Sequence, residues 1–333
     1  MKKMLVAPLL LFLLGCEHWV LSPDPHPSPS RVFNYLWEDI HHRYSYFEEK
    51  NIDWLEIKEA FSSRVQDDLD EKELFELLGE MLFELKDGHV NLSSEFNRTR
   101  NWEWFQDYPA NYNWLNIEQR YLGRDFWISG PIRHRMLDDI LYIDYRSFTE
   151  KIGQGQLDAI MERANQAEGV IVDIRSNGGG NMSNAFLLAS CFTETRYQFA
   201  QQRFKNGPGK NDFSPWQIMS VRPREGLRFD GPVIVLTNRR AYSASTFFAQ
   251  MMKANPKAKL LGDDTGGGGG TPVFGELPNG WMYRFSGSQT VDMEGHHLEE
   301  GVSVDIPVGL RRRDETRGID TIIERALLEF NTY

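Results

Sequence analysis

Two runs, Gly169-Val170-Ile171-Val172-Asp173-Ile174 and Pro232-Val233-Ile234-Val235-Leu236-Thr237, are apolar almost without interruption. A strand with one face in water alternates apolar and polar residues. A strand apolar throughout is covered on both faces, as in the parallel sheet of an α/β domain. Each run leads through a turn into a helical stretch: Asn177-Gly178-Gly179-Gly180 into Met182 to Cys191, and Ser243 into Ser245 to Lys253. A strand at Ile140 to Tyr145, a helix from Gly155 to Gln166 and a short strand at Lys259 to Gly262 extend the series. Repeated strand–loop–helix units place their loops at the carboxyl ends of the strands, where open sheets bind ligands. The glycine run and Ser243 are therefore expected to converge.

Those loops carry suitable chemistry. Successive glycines admit close backbone approach and aim N–H groups at a developing anion, and the Ala244 N–H lies beside Ser243 at a helix N-terminus. A hydroxyl nucleophile also needs a base. Asp87-Gly88-His89 follows the third N-terminal helix, and Gly88 is a natural helix stop that presents His89. Alone, His89 reads as a surface histidine and the glycine run as a turn; together with Ser243 they form the parts of an acyl-transfer site.

The N-terminus bears on location. Lys2 and Lys3, the apolar stretch Leu5 to Leu14, and Gly15-Cys16 resemble a bacterial lipoprotein signal. This resemblance implies removal of residues 1–15, lipidation of Cys16, and anchoring in the bacterial cell envelope, on the periplasmic or surface side, without a membrane span. Residues 16–30, with prolines at 23, 25, 27 and 29, are expected to form an extended tether. Cys191 is the only other cysteine, so no internal disulfide is available once Cys16 is modified.

Residues 31–92 show apolar positions at helical spacing (Phe33, Leu36, Trp37 and Ile40, then Ile57 to Val65 and Lys72 to Leu85), which predicts a helical subdomain. Residues 93–135 are rich in Trp and Tyr and read as a small β segment, and residues 136–333 form the α/β core. Scattered histidines and absent cysteine pairs give no metal framework, and no cofactor is implied. A net charge of −11, with only Arg311-Arg312-Arg313 as a basic run, argues against nucleic-acid binding.

The Ser243-Ala244-Ser245 turn, Asp173-x-Arg175-x-Asn177-Gly178-Gly179-Gly180, Asp87-Gly88-His89 and the tail Glu300-Gly301-Val302-Ser303-Val304-Asp305-Ile306 resemble the tail-specific, C-terminal-processing serine peptidase family. The resemblance implies a crotonase/ClpP-like α/β core, a peptide or protein substrate, and Ser243 as nucleophile. The lysine of that family's Ser–Lys dyad is replaced by glycine within Gly266 to Gly270, so the chain looks like the tricorn-like branch. There His89 is the base, an acidic residue near the tail completes the site, and a hydroxyl normally stands where Gly88 is found. Glu299 is the favoured acidic residue, with Glu300 the alternative. Gly179 and Ala244 would supply the oxyanion N–H groups, with Gly178 as the other candidate. The fifty or so residues after His89 are too few for the family's usual PDZ domain. Two other readings stay open: a non-catalytic protein that binds peptide or apolar ligands on the same fold, and an esterase. A hydrolase requires a His89 ring nitrogen within hydrogen-bond reach of the Ser243 hydroxyl.

Overall fold

The computed structural model describes residues 27–331. The signal segment, Cys16 and most of the proposed tether lie outside the described residues. A seven-stranded sheet runs β13-β9-β8-β5-β4-β3-β2. Its strands are Trp127–Ser129 (β2), Ile132–Leu137 (β3), Ile140–Tyr145 (β4), Gly169–Asp173 (β5), Val233–Thr237 (β8), Ala258–Gly262 (β9) and Ile306–Pro307 (β13). The pairings from β4 through β5, β8 and β9 to β13 are parallel, while β2 and β3 add antiparallel strands at the other edge.

Both apolar runs are central strands, and their alternate residues enter different cores. Val170, Val172, Val233 and Val235 face the helices Gln154–Ala164, Met182–Ala189 and Ala244–Lys253. Ile171, Ile234 and Leu236 face the opposite layer, formed by the C-terminal helix Thr321–Phe330 and the turn Ile117–Leu122. Coverage on both faces explains the absence of polar alternation.

The N-terminal helices Pro29–Arg43, Trp54–Ser62 and Glu71–Phe83 form where their periodicity predicts. The first begins two residues before the expected boundary because Pro29 occupies its first turn and Ser28 caps it. These helices share a third core with Leu277, Trp281, Tyr283 and Phe285. Those residues belong to or adjoin a small antiparallel sheet, β1-β11-β10, made of Asn91–Ser93, Met282–Ser286 and Pro272–Glu276. The pairing Asn91↔Arg284 ties the segment just after His89 to the far end of the chain.

One region differs from the sequence expectation. The aromatic segment is mostly short helical turns, Glu103–Gln106, Trp114–Asn116 and Ile117–Leu122, and only Trp127–Ser129 and Ile132–Leu137 are strands. The Asn113 side chain caps its turn by accepting from the Asn116 N–H, a local bond that competes with strand formation. The polar stretch from Glu194 to Arg228 contains β6 (Tyr197–Phe204) and β7 (Gln217–Val221), which pair in a sheet with β12 (Ser288–Val291). Among the described residues, no helix is long and apolar enough to cross a membrane.

Candidate active site

The site forms where β5 and β8 end. After β8 the chain turns through Ser243, whose backbone is held at φ +58°, ψ −120° directly before the helix Ala244–Lys253. This conformation is costly for a side-chain-bearing residue and persists only where its surroundings impose it. Here they do: the Ser243 N–H donates to the Gly267 carbonyl at 2.9 Å, and the Thr246 hydroxyl donates to the same carbonyl at 2.7 Å. Gly267 itself lies at φ +92°, and a Cβ there would collide with the Glu299 carbonyl. Residues Gly266 to Gly270 are all buried, so the five glycines act as a close-packed wall behind Ser243.

His89 arrives from the other core. Asp87 accepts the His89 N–H at 2.7 Å, which fixes the turn after the third helix, and His89 Nε2 lies 3.0 Å from Ser243 Oγ. The required contact is therefore present. The ring also packs against Tyr242 at 5.0 Å, and Tyr242 stacks on Trp104 at 4.2 Å. A Cβ at Gly88 would lie 2.6 Å from Trp104 Nε1 and 2.7 Å from the Tyr242 hydroxyl. The place where the tricorn-like pattern has a hydroxyl-bearing residue is thus filled by these two rings. Burial pushes the His89 pKa down to about 4, with Asp87 opposing and Arg284 and Lys50 assisting, so the imidazole is neutral at pH 7. A neutral imidazole is the form that accepts a proton.

No carboxylate bonds to the imidazole: His89 Nδ1, Asp87 Oδ2 and Glu299 Oε2 are buried without a hydrogen-bond partner among the described residues. Glu299 Oε1 accepts from Lys50 Nζ at 2.8 Å, and neither Glu299 nor the exposed Glu300 hydrogen-bonds to His89. Asp87, two residues before the histidine, is the carboxylate whose charge acts on it. Burial works to raise the Asp87 pKa, but Lys50 and His89 outweigh it and hold the group below its ordinary value. Glu299 is pushed up to about 7 by burial, against the pull of Lys50 and with the repulsion of Asp87. One buried cation between two carboxylates keeps the nearer partner of His89 ionised and leaves Glu299 as the first to take up a proton.

Of the three expected oxyanion donors, one N–H is already engaged. Gly179, at φ +92°, is so close to the serine turn that a Cβ would lie 2.9 Å from Ser243 Cβ, but its N–H donates to Asn177 Oδ1 at 3.0 Å. The Ala244 N–H is an unshared donor at the helix start, and Gly178, an exposed residue, also has an unshared N–H. Arg175, in the same motif, has a structural role. Fully buried, it bonds Asp173 and Asp320 and so joins the end of β5 to the cap of the C-terminal helix.

Ser243, His89 and the three glycines lie in a cleft of about 790 Å³. Its walls include Trp102, Trp104, Phe105 and Phe274, together with Arg98, Arg100, Arg240 and Arg284. The sequence reading missed Asp87, Lys50 and Arg284 as members of the site. Asp87 was legible, since it belongs to the same three-residue motif as His89. Arg284 reaches the site because β1 pairs with β11 across nearly 200 residues of sequence, Lys50 because it bonds Glu299 across 249, and no local signal marks either.

Comparison with known proteins identifies the family and the fold. Residues 139–308 match the model of peptidase family S41, and residues 25–83 match the tricorn protease C1 domain. Carboxy-terminal processing protease CtpA of Bacillus subtilis (strain 168) is 24% identical over 160 residues, which cover 47% of this chain and 32% of that protease. The chain thus spans about a third of the length of the curated relative it matches. A Parabacteroides merdae protein assigned as a peptidase superposes with a TM-score of 0.86 at 39% identity, covering 91% of this chain and 96% of the other. Mature CPAF in complex with lactacystin shares the fold, with a TM-score of 0.67 at 11% identity over 90% of this chain and 97% of that one. With a family model matching half of its residues and a relative aligned over nearly its whole length, the chain belongs to peptidase family S41.

Proposed function

We propose that the protein is a serine peptidase that cleaves peptide bonds through an acyl-enzyme on Ser243. The observation that carries this reading is the 3.0 Å contact between His89 Nε2 and a Ser243 Oγ presented at a helix N-terminus. His89 takes the hydroxyl proton as Oγ attacks the carbonyl carbon and gives it to the leaving amine; it then takes a proton from the attacking water and returns it to Ser243 Oγ as the acyl–Oγ bond breaks. The Ala244 N–H, with Gly178 as the second donor, meets the oxyanion; Gly179 joins them when its bond to Asn177 opens. Asp87 favours the imidazolium that forms in each step through its charge alone, and Lys50 keeps Asp87 ionised. A non-catalytic binder would have no need of a strained serine within reach of a neutral histidine.

The Leu14-Gly15-Cys16 sequence supports a lipid anchor on Cys16 that holds the enzyme to the bacterial cell envelope, and Cys16→Ala should release it to the soluble fraction. The mechanism is tested by treating the chain with a fluorophosphonate probe. An adduct that maps to Ser243 and disappears in Ser243→Ala and His89→Ala is expected. Equal labelling of the His89→Ala variant would remove His89 from the base role.

A further inference from the structure

The cleft beside Ser243 has an electrostatic character opposite to that of the chain. Asp and Glu outnumber Lys and Arg by 48 to 37, yet four arginines and no carboxylate line this cavity. The arginines come from separate elements: Arg98 and Arg100 follow β1, Arg240 precedes the serine turn, and Arg284 lies within β11. None forms an ion pair among the described residues. Arg98 is held only by a bond to Asn91 Oδ1 at 2.9 Å, Arg100 lies over the Trp102 ring at 5.2 Å, and Arg240 lies over Phe105 at 4.7 Å. The Nε of Arg284 is buried with no acceptor. Burial, then repulsion from Arg98 and, more weakly, Arg100, destabilises the Arg284 charge, while Tyr242 and Asp87 oppose this.

Unpaired guanidinium groups gathered in one pocket are unfavourable without an anion, and their planar forks match carboxylates. A terminal carboxylate supplies one negative charge for four cations, whereas a peptide segment with acidic side chains supplies several. We infer that the cleft of this chain selects peptides carrying Asp or Glu near the scissile bond, with Arg284, Arg98 and Arg100 as the carboxylate-binding wall. The aromatic side chains pack the backbone and apolar parts of the same segment. This inference rests on the peptidase reading for its consequence in turnover, while the binding step stands apart from it.

The experiment uses the full chain and internally quenched peptides that are amidated at the C-terminus and differ only in Glu, Gln or Lys at the positions flanking the cleaved bond. Charged hydrogen bonds in a cleft predict kcat/KM about ten- to a hundredfold higher for Glu than for Gln, decreasing with added salt. In Arg284→Gln, and separately in Arg98→Gln/Arg100→Gln should the first variant not fold, the Glu-to-Gln ratio is expected to fall towards one. A parallel set of neutral peptides with free C-termini distinguishes the source of the charge. Equal rates for Glu and Gln, or a preference that follows only the free terminus, would overturn the inference. Binding of the same peptides to Ser243→Ala, read by fluorescence anisotropy, separates the two claims. If no peptide is cut but Glu peptides bind more tightly, the peptidase reading fails and the acidic selectivity stands; if Glu and Gln peptides bind alike, the selectivity fails.

Discussion

Acidification from about pH 7 to pH 4 should destabilise the fold through His89. The residue is only 4% exposed, and burial takes its pKa from 6.5 to about 4. Between those two values the unfolded chain binds a proton at His89 that the folded chain does not. Stability from this group is therefore fully present above pH 6.5, rises with pH through the window, and is lost as pH falls towards about 4. At ~1.4 kcal/mol per pH unit the interval amounts to about 3 kcal/mol, a large share of the ~5–15 kcal/mol that holds a typical domain folded. His89→Gln retains a polar side chain and cannot titrate. Urea unfolding of the parent and the variant at about pH 7, 5.5 and 4 isolates the effect, because groups common to both cancel in the difference. The parent should lose about 3 kcal/mol more than the variant across the series. A difference between the two that stays constant with pH would show that His89 does not titrate as its burial requires. In the proposed mechanism the same protonation disables the base, so the acid limb of kcat/KM should fall near pH 4 and leave activity flat at mildly acidic pH.

Three further perturbations probe the surroundings. Lys50→Met removes the cation shared by Asp87 and Glu299, so Asp87 should become easier to protonate and the acid limb of kcat/KM should move to higher pH; a pH–rate profile with an unmoved limb refutes the coupling. Arg175→Met leaves Asp173 and Asp320 buried without their shared partner and should cost about 3–5 kcal/mol in denaturant unfolding, and a cost under about 1 kcal/mol would contradict the structural role given to this motif. Ser243→Gly should be more stable than Ser243→Ala by about 1 kcal/mol in thermal unfolding, since only glycine adopts φ +58° without strain, and both should be inactive. Equal stability of the two would indicate that the serine turn is relaxed.

The legible parts of the sequence were those whose signal is local. Val170 to Asp173 and Val233 to Thr237 read as doubly covered strands because every position faces a core, and the turns after them follow from the sheet's direction. His89 and Ser243 were identified by chemical type and by their place after regular elements, and they meet. Residues whose roles depend on distant pairing were not legible. Lys50 finds Glu299 across 249 positions, and Arg284 reaches the cleft because β11 lies between β1 and β10. Glu299 was the expected partner of His89, and one of its oxygens accepts from Lys50, a residue between the first two helices that no local signal connects with it. The aromatic segment misled in another way: Trp104 has the composition of a strand residue, yet it lies in a helical turn and serves by stacking on Tyr242.

The distribution of these residues among cores explains how one assembly yields both a strained serine and a buried base. Ser243 is fixed by the large core through its helix and by Gly267, whereas His89 is fixed by the N-terminal helices, whose core closes on β11. The contact between them is thus formed only when the two packed units close, and the small sheet β1-β11-β10 is the covalently distant seam that holds them in register. Moving the strand pairing Asn91↔Arg284 by one residue would displace His89 by ~3.3 Å along the strand, enough to lift Nε2 out of reach of Oγ. The same pairing carries Arg284 into the cleft wall, so the register that brings the base to the nucleophile also places the cation proposed to read the substrate. The proposed catalysis and the proposed selectivity therefore both depend on one antiparallel pairing, between the first strand and the third-last.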